Sequence, residues 1–411
     1  MTQTQVAVTG FGILSALGRG AEFNEKALRA GESGLVARPE WEAEKLRSRV
    51  SGNVDLEPLR GEFDRKQSRF LCDPALLSAL AMRDAIAHAE LDQDAVTSLR
   101  TGLIMGTGGS SVPDAVALAD RMRARGGCKV GAYFVPRIMG SAVTANLSNM
   151  FHIHGHSYSM TSACATSAHT IMHGFDLIRS GRQDRVFAGG AEDINVFCVA
   201  SFDGMNALSI AYNDEPARAS RPLDRGRDGF VYSGGAGVLV LENLQVATER
   251  GAKIWAVLAG AGASCDGEDM VVPNRIGGEE AMRLSLEDAN ITSDQIDYVN
   301  LHGTSTPVGD TVEVEAIQNV FGARMPPFSS TKSMTGHGLG AAGVHEAIFC
   351  ILMMQGGFLA PNINLEDPEP LVDDLPVVRK SENATIGWAL SNSFGFGGTN
   401  CSLVFTHPDN V

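Results

Sequence analysis

The segment YSMTSACATSAHTIMHGFDLI, residues Tyr158 to Ile178, contains a strand-like stretch that leads directly into a helical pattern. The apolar positions of that pattern recur every three or four residues, as on the buried face of a helix: Ala168, Ile171, Met172, Phe175 and Ile178. Cys164 therefore falls at the predicted first turn of the helix. Free backbone N–H groups and the helix dipole favour an anion there, so we expect a lowered thiol pKa.

Short apolar runs alternate with helical patterns along the rest of the chain, and this alternation predicts an α/β fold. Two runs, VAVTGFGILSALG from Val6 and WAVLAGAGASCDG from Trp255, resemble each other. We therefore predict two similar halves, residues 1–252 with Cys164 and residues 253–411. The predicted strands are Val6–Val8, Gly102–Met105, Arg185–Ala188, Gly237–Leu241, Ile254–Leu258, Tyr298–Leu301, Ala389–Ser391 and Ser402–Phe405.

Composition narrows the possible classes of protein. The 411 residues carry a net charge of −15, which argues against a general binder of nucleic acid or of anionic membranes. The seven cysteines are odd in number and contain no CxxC pair, so neither a disulfide framework nor a zinc ribbon is indicated. No apolar run approaches the roughly 20 residues that span a bilayer. We expect a soluble, cytoplasmic protein.

Two histidines lie in motifs typical of loops at strand ends and helix starts. His302 belongs to NLHGTSTPVGD, after a predicted strand, and His337 to STKSMTGHGLGAAG, which also contains Lys332 and leads into an apolar helix. One histidine or one cysteine alone would more often be a packing residue. The combination suits a different chemistry, in which a thiolate takes an acyl group and two neutral imidazoles stabilise an enolate formed by decarboxylation.

A glycine-rich segment, SNSFGFGGTN from Ser391, follows the predicted strand near the end of the chain. It lacks the spacing of a P-loop or of a dinucleotide-binding turn, so it is a weak candidate for a phosphate site. Its composition favours a tight turn with free backbone N–H groups. We predict that it supplies an oxyanion donor and a gate, with Phe394 as the apolar door.

Four motifs together, TSACATSAH, HGTSTPVGD, KSMTGHGLGAAG and SNSFGFGGTN, resemble those of β-ketoacyl-acyl carrier protein synthases of the thiolase superfamily. The resemblance extends to VAVTGFGILSALG, FAGGAED, SRPLDRGRDGF and PNINLEDP, and CATSAH, YSGGAG and CDGEDM favour the bacterial branch I over branch II. It implies a thiolase-like αβαβα layered fold made of two duplicated halves. It further implies a homodimer, no cofactor, no metal, and an acyl carrier protein as partner.

The resemblance also implies catalytic roles for individual residues. Cys164 would be the acylated nucleophile, and its N–H would form an oxyanion hole with that of Phe396. His302 and His337 would stabilise the enolate of a malonyl thioester. Lys332 would position His337, and Glu313 would order the network behind it. The reaction would be a decarboxylative Claisen condensation in type II fatty acid elongation.

Substrate contacts follow from the same resemblance. Thr304 and Thr306 would bind the phosphopantetheine arm and Phe394 would gate the acyl pocket. Residues 108–111 and 202–208, represented by Gly108 and Phe202, would line that pocket. Because the carrier protein is acidic, we expect a basic docking surface on this acidic chain: Lys66, Arg69, Arg121, Arg125 and Lys129.

Several alternatives remain open at this point. FHIHGH, residues Phe151 to His156, places three histidines on one face of an extended segment, but no acidic or cysteine partner lies nearby in sequence. A catalytically inactive partner, such as a chain-length factor, would have lost the nucleophile that is present here. A thiolase would add a second cysteine. A condensing enzyme of a polyketide or specialised lipid pathway is the main alternative.

Overall fold

The computed structural model describes residues 4–109 and 111–411, and its main feature is one mixed sheet. In spatial order the strands are β11-β10-β14-β15-β9-β1-β8-β7-β5-β6, with β2 paired to β1. The strands are β1 Val6–Ser15, β2 Gly18–Arg19, β3 Leu35–Ala37, β4 Val50–Gly52, β5 Thr101–Gly106, β6 Ser157–Met160, β7 Arg185–Glu192, β8 Gly235–Asn243, β9 Ala256–Cys265, β10 Tyr298–Asn300, β11 Phe328–Ser329, β12 Phe358–Leu359, β13 Glu382–Asn383, β14 Trp388–Gly395 and β15 Thr399–Thr406.

Helices cover the sheet and connect its strands, as the alternating pattern predicted. They are α1 Ala21–Ala30, α2 Glu57–Arg60, α3 Arg65–Ser68, α4 Asp73–His88, α5 Gln93–Thr97, α6 Val112–Arg125, α7 Phe134–Ile138, α8 Ala142–Phe151, α9 Thr166–Arg179, α10 Val196–Gly204, α11 Leu244–Glu249, α12 Arg275–Asp288, α13 Pro307–Phe321, α14 Lys332–Thr335 and α15 Ala342–Gly356. The predicted α/β fold is therefore confirmed.

The strand order repeats about the centre of the sheet. On one side β5 runs parallel to β7, while β7 pairs antiparallel with β8 and β8 with β1. On the other side β10 runs parallel to β14, while β14 pairs antiparallel with β15 and β15 with β9. The two sets join where Val6 to Val8 of β1 pair with Ala256 to Leu258 of β9. The chain thus contains the same topology twice within one sheet.

Helices α9 and α15 lie between the two sets of strands. Helix α9 contacts β7 and β15, and α15 contacts β8 and β14, whereas α4 and α12 cover the outer faces. Residues of both halves share one hydrophobic core, including Ile171, Phe349 and Phe405. This layering brings the start of α9 and the start of α15 to the same region of the molecule.

Helix α15 corrects one expectation from the sequence. The segment Leu339–Gly356 is long and apolar enough to span a membrane by length and composition, although no run of that kind was expected. In the structure 89% of the segment is buried. Its hydrophobicity therefore belongs to a core helix that packs against strands from both sides.

Candidate active site

A cavity of about 400 Å³ reaches into the region where the two helix starts meet. Its wall includes Cys164, His302 and His337, which lie far apart in sequence. Phe394 and Phe396, from the glycine-rich turn between β14 and β15, also line it. Most of the exposed lining surface is apolar, as in sites that enclose an apolar substrate, although several polar and charged side chains also contribute to it.

Cys164 lies in a one-turn 3₁₀ segment, Ala163–Ala165, immediately before α9. Ala163 has φ of 50°, a left-handed conformation that a non-glycine residue adopts only when its surroundings impose it. Three hydrogen bonds fix the turn: Thr166 Oγ1 donates to Ala163 O at 2.7 Å, Ser162 N to Thr166 Oγ1 at 2.8 Å and Thr399 Oγ1 to Ser162 O at 3.1 Å. The backbone thus holds the cysteine at the cavity wall.

The protonation of Cys164 differs from the sequence-based expectation. Burial raises the pKa of the Cys164 thiol to about 12, although the charge of Lys332 and the backbone N–H of Phe396 act to lower it. The expected lowered pKa was therefore wrong, because desolvation of the anion outweighs the groups that stabilise it. The thiol therefore keeps its proton near pH 7.

Backbone N–H groups surround the sulfur. The backbone N–H groups of Phe396 and of Cys164 itself lie close enough to act on the pKa of the thiol. The glycine-rich turn lies very close to the turn that carries Cys164, since a Cβ added at Gly395 would lie 2.7 Å from Ser162 O. Gly397 and Gly398 have φ of 82° and 73°, so the turn itself needs glycine. Two donors therefore converge on one point, as in an oxyanion hole.

The two histidines face each other across the cavity. Their ring centroids lie 5.2 Å apart and their planes are nearly perpendicular, at 88°. Burial first, and then the nearby charge of Lys332, lower the pKa of both His302 and His337 well below the usual value. Both imidazoles are consequently neutral near pH 7 and can each donate one ring N–H.

Lys332 contacts a different histidine from the one expected. Its Nζ lies 3.5 Å from Nδ1 of His302 and forms a buried ion pair with Glu346. Neither ring nitrogen of His337 has a hydrogen-bond partner within residues 4–109 and 111–411. The prediction that Lys332 positions His337 was therefore wrong. Because an ammonium group only donates, His302 accepts at Nδ1 and carries its own proton on Nε2.

Glu313 holds the loop that carries His302. Its two carboxylate oxygens accept from the backbone N–H of His302 at 2.8 Å and of Gly303 at 2.7 Å. Asn392 Nδ2 donates to the same carboxylate at 3.2 Å. Burial raises the pKa of Glu313 to about 7, while the donated hydrogen bonds act to lower it. Glu313 is therefore placed to order the backbone behind the histidine.

The remaining candidates for substrate contact divide into two groups. Thr304, Thr306, Phe394 and Phe202 line the cavity, and the hydroxyls of the two threonines are 3.1 Å apart. Gly108 is not part of the lining; its N–H donates to Glu192 Oε2 at 2.8 Å. The structure thus does not place Gly108 at the cavity wall. Ser110, within the predicted 108–111 segment, is outside the described residues.

Comparison with known proteins identifies the family. Residues 3–247 match the model of the beta-ketoacyl synthase N-terminal domain, and residues 255–366 match that of the C-terminal domain. The chain belongs to the beta-ketoacyl synthase family. The predicted resemblance is confirmed, and with it the thiolase-like layered fold.

Relatives of this ketosynthase are similar over nearly the whole chain. It is 47% identical to 3-oxoacyl-(acyl-carrier-protein) synthase 1 of Haemophilus influenzae, covering 98% of both chains. A solved beta-ketoacyl synthase from Burkholderia phymatum is 34% identical with a TM-score of 0.92, covering 98% of this chain and 99% of that one. A type II polyketide ketosynthase solved with its acyl carrier protein is 26% identical with a TM-score of 0.87, covering 98% and 100%.

The five basic residues predicted to dock a carrier protein are exposed on this ketosynthase: Lys66, Arg69, Arg121, Arg125 and Lys129. Two of them converge on one segment, since Arg69 donates to Tyr133 Oη and Arg121 to Val130 O, each at 3.4 Å. The C-terminal end of α6 and the short helix α3 thus border the same stretch of surface.

The FHIHGH segment has no sign of a metal site. Among the residues that the structure describes, no three His, Cys, Asp or Glu side chains form a group that could hold a metal ion. His152, His154 and His156 are exposed, and His152 ends α8 with φ of 56°. The segment therefore contributes a helix end and a loop.

Sequence reasoning missed two buried carboxylates of the site. Glu346 pairs with Lys332, and Glu192 accepts from the N–H groups of Gly108 and Gly340. A signal was available for Glu346, since one acidic residue in an otherwise apolar helix requires a buried partner. Glu192 ends a strand in FAGGAED, and its partners depend on tertiary packing that local sequence does not reveal.

Proposed function

We propose that this protein is a β-ketoacyl-acyl carrier protein synthase that elongates acyl chains in type II fatty acid synthesis. The observation that carries the proposal is a single cavity that contains two different groups of polar residues. One end has a cysteine sulfur between two backbone N–H groups, and the other has two neutral, buried imidazoles. The 47% identity to a 3-oxoacyl-(acyl-carrier-protein) synthase 1 supports the same activity.

The first half-reaction transfers an acyl group to Cys164. The sulfur attacks the thioester carbonyl, and the resulting oxyanion accepts from the N–H groups of Cys164 and Phe396. Collapse expels the carrier's thiolate, which takes the proton that the Cys164 thiol gave up. Because the pKa of the thiol is about 12, we propose that the imidazole of His337, whose ring nitrogens have no hydrogen-bond partner among the described residues, relays this proton during attack.

The second half-reaction consumes malonyl carrier protein. Its C–C bond to the carboxylate breaks, CO₂ leaves, and the electron pair moves to the thioester oxygen as an enolate. Nε2–H of His302 and a ring N–H of His337 donate to that oxygen. The enolate carbon attacks the acyl carbonyl on Cys164, the same oxyanion hole holds the intermediate, and the cysteine leaves as a thiolate that takes up one proton from solvent.

The carrier protein and a second copy of the chain complete the proposal. The related polyketide ketosynthase solved with its acyl carrier protein supports a carrier as partner. Among the described residues β6 is the last strand at one edge of the sheet, and an edge strand can pair with a second copy, which supports a homodimer. Each of the seven cysteines is free, as suits the reducing cytoplasm in which we place the enzyme.

A polyketide or specialised lipid pathway is the second candidate function. The polyketide ketosynthase shares the fold, but its identity of 26% is well below the 47% shared with the fatty acid enzyme. The intact Cys164, His302, His337 and Lys332 speak against a catalytically inactive partner. The acyl length that the cavity accepts separates the two pathways.

Intact-mass spectrometry tests the reaction. Wild type, Cys164→Ala and the control Cys198→Ala are incubated with acyl carrier proteins of increasing acyl length and then with malonyl carrier protein. Cys198 is partly buried near the site and absent from the cavity wall. We expect acylation of wild type and Cys198→Ala, none of Cys164→Ala, and discharge as β-ketoacyl product. An unacylated wild type contradicts the proposal.

The docking surface has a separate test. The double variant Lys66→Glu, Arg69→Glu should raise KM for acyl carrier protein about tenfold at low salt, because it replaces attraction by repulsion. The rate with acyl-pantetheine, which lacks the protein, should not change. An unaltered KM for the carrier at low salt excludes these two residues.

A further inference from the structure

The motif SRPLDRGRDGF, residues Ser220 to Phe230, has no part in the proposed half-reactions. It contains two buried arginines, Arg221 and Arg227. The Arg227 side chain is 2% exposed and lies 3.5 Å from the carboxylate of Asp310, which is fully buried. Burying such a pair costs desolvation energy and is a poor way to gain stability alone. The hydrogen bonds of the two side chains indicate another role for the pair.

The guanidinium of Arg227 binds the loop that follows Thr304. Its Nε donates to Thr306 O at 3.1 Å and its Nη2 to Pro307 O at 2.7 Å. The same Nη2 donates to Thr311 Oγ1 at 3.1 Å, while Nη1 reaches Glu369 at 2.6 Å. The planar fork of one arginine thus fixes two consecutive carbonyls at the start of α13.

Asp310 holds the same loop through its amides. Its Oδ1 accepts from the N–H of Ser305 at 3.1 Å and of Thr306 at 3.3 Å. Ser305 has φ of 71°, a left-handed conformation that relaxes unless the surroundings impose it. Arg227 and Asp310 therefore act together on both sides of a strained peptide segment, residues 305–307.

This segment and the residue before it carry two hydroxyl side chains of the cavity wall. Thr304 and Thr306 both line it, and their Oγ1 atoms are 3.1 Å apart. Hydroxyls at this spacing suit the neutral amides of a thioester arm, but only if the backbone between them is fixed. We propose that Arg227, paired with Asp310, is a positioning residue that sets Thr304 and Thr306 to bind the pantetheine arm of the substrate. This inference rests on the proposed function.

Arg221 provides a matched control within the same motif. It is also buried and its side chain pairs with Asp224 at 2.9 Å and Glu366 at 3.4 Å. Its guanidinium makes no hydrogen bond to residues 303–307 in the part of the chain that the structure describes. Replacement of either arginine by lysine therefore changes a buried ion pair, but only the change at Arg227 removes side-chain hydrogen bonds to residues 303–307.

The experiment compares two acyl donors with the full-length protein. Wild type, Arg227→Lys and Arg221→Lys are acylated at Cys164 by acyl-pantetheine and by the S-ethyl thioester of the same acid, which has no amide. We expect Arg227→Lys to lower the rate with acyl-pantetheine about ten- to hundredfold, since a small misplacement of binding groups has effects of that size. Its rate with the S-ethyl thioester should stay within about threefold of wild type.

Arg221→Lys should change both rates by the same factor. Thr306→Val should lose the preference for acyl-pantetheine. Combining it with Arg227→Lys should cause little further loss of that preference, as expected for residues that act as a unit. If Arg227→Lys lowers both rates equally, it acts as a general structural residue and the proposal is overturned. A wild type that accepts no acyl group instead refutes the proposed function itself.

A milder variant covers the case in which Arg227→Lys does not fold. Glu369 is partly exposed and binds Arg227 from outside, so Glu369→Gln loosens the guanidinium without leaving a fully buried charge unpaired. We expect a loss of several-fold with acyl-pantetheine and none with the S-ethyl thioester. An unchanged donor preference in this variant overturns the proposal as well.

Discussion

The end of the cavity at Cys164 and the end at the two histidines differ in the kind of polar group that they present. Around the sulfur the polar groups are backbone N–H groups, those of Cys164 and Phe396, held by a strained turn and a glycine-rich hairpin. Around the histidines the polar groups are side chains, with Lys332 and Glu346 behind His302. A substitution other than to proline keeps the backbone donor, but it can remove any member of a side-chain network. The two ends should therefore differ sharply in their sensitivity to mutation.

The largest expected effect is on the histidine end. His302→Ala removes one of the two donors to the enolate, so decarboxylation of malonyl carrier protein should fall about thousandfold. Acylation of Cys164 should remain within about tenfold of wild type, because the oxyanion hole is intact. Release of CO₂ and intact mass measure the two steps. Equal losses in both would show that the ends are not separate.

Lys332→Met tests the network behind that histidine. Without the ammonium group Nδ1 of His302 can carry the proton, and Nε2 then faces the enolate as an acceptor. We expect decarboxylation to fall about a hundredfold, as for other residues that orient a catalytic imidazole. Circular dichroism must confirm folding, because Glu346 loses its partner. Normal decarboxylation in a folded variant would refute the assigned tautomer.

Glu192→Gln tests a buried carboxylate behind the sulfur that, among the described residues, accepts hydrogen bonds from backbone N–H groups and forms no salt bridge. Burial, with the charge of Asp193, raises the pKa of Glu192 to about 8. The folded state thus binds this proton more tightly than the unfolded chain, and the resulting stability is lost as pH rises from about 4.5 through 8. The variant should lack that loss, which amounts to roughly 3–5 kcal/mol at pH 9.

Thermal melts from pH 6 to 9 measure this difference, and wild type should lose more stability than Glu192→Gln. Glu242 is the opposite case: burial raises its pKa, but its bonds to Arg250 and Arg185 outweigh that effect and lower it overall. Glu242→Gln should therefore destabilise the protein throughout this range. Parallel curves for wild type and Glu192→Gln would contradict a protonated Glu192.

The smallest expected effect is at the glycine-rich turn. Phe396→Ala removes an aromatic ring from the cavity wall but keeps the N–H that points at the sulfur. Acylation of Cys164 should therefore change by less than about fivefold. A loss comparable with that of an oxyanion-hole donor, about a hundredfold or more, would show that the ring sets the position of the N–H.

The same contrast explains what could be predicted from the sequence. Cys164, His302 and His337 stand in short motifs at helix starts and strand ends, so local pattern was enough to select them. The partner of Lys332 could not be selected in this way, because the choice between His302 and His337 depends on where the tertiary fold places Lys332 relative to the loop after β10. The predicted direction of the pKa shift of Cys164 was wrong, because the sequence shows that a helix starts there but does not show that the thiol is buried.

Strand β1 has a consequence for synthesis of the chain. All ten of its residues are buried, and its neighbours are β8 and β9, which begin only at Gly235 and Ala256. At translation rates of about 5–20 residues per second, β1 waits on the order of 10 to 50 seconds for its first long partner. An apolar strand without a partner for that time is a hazard for aggregation on the ribosome. In a nascent chain β1 is thus an exposed apolar segment long before the residues of the active site have all been made.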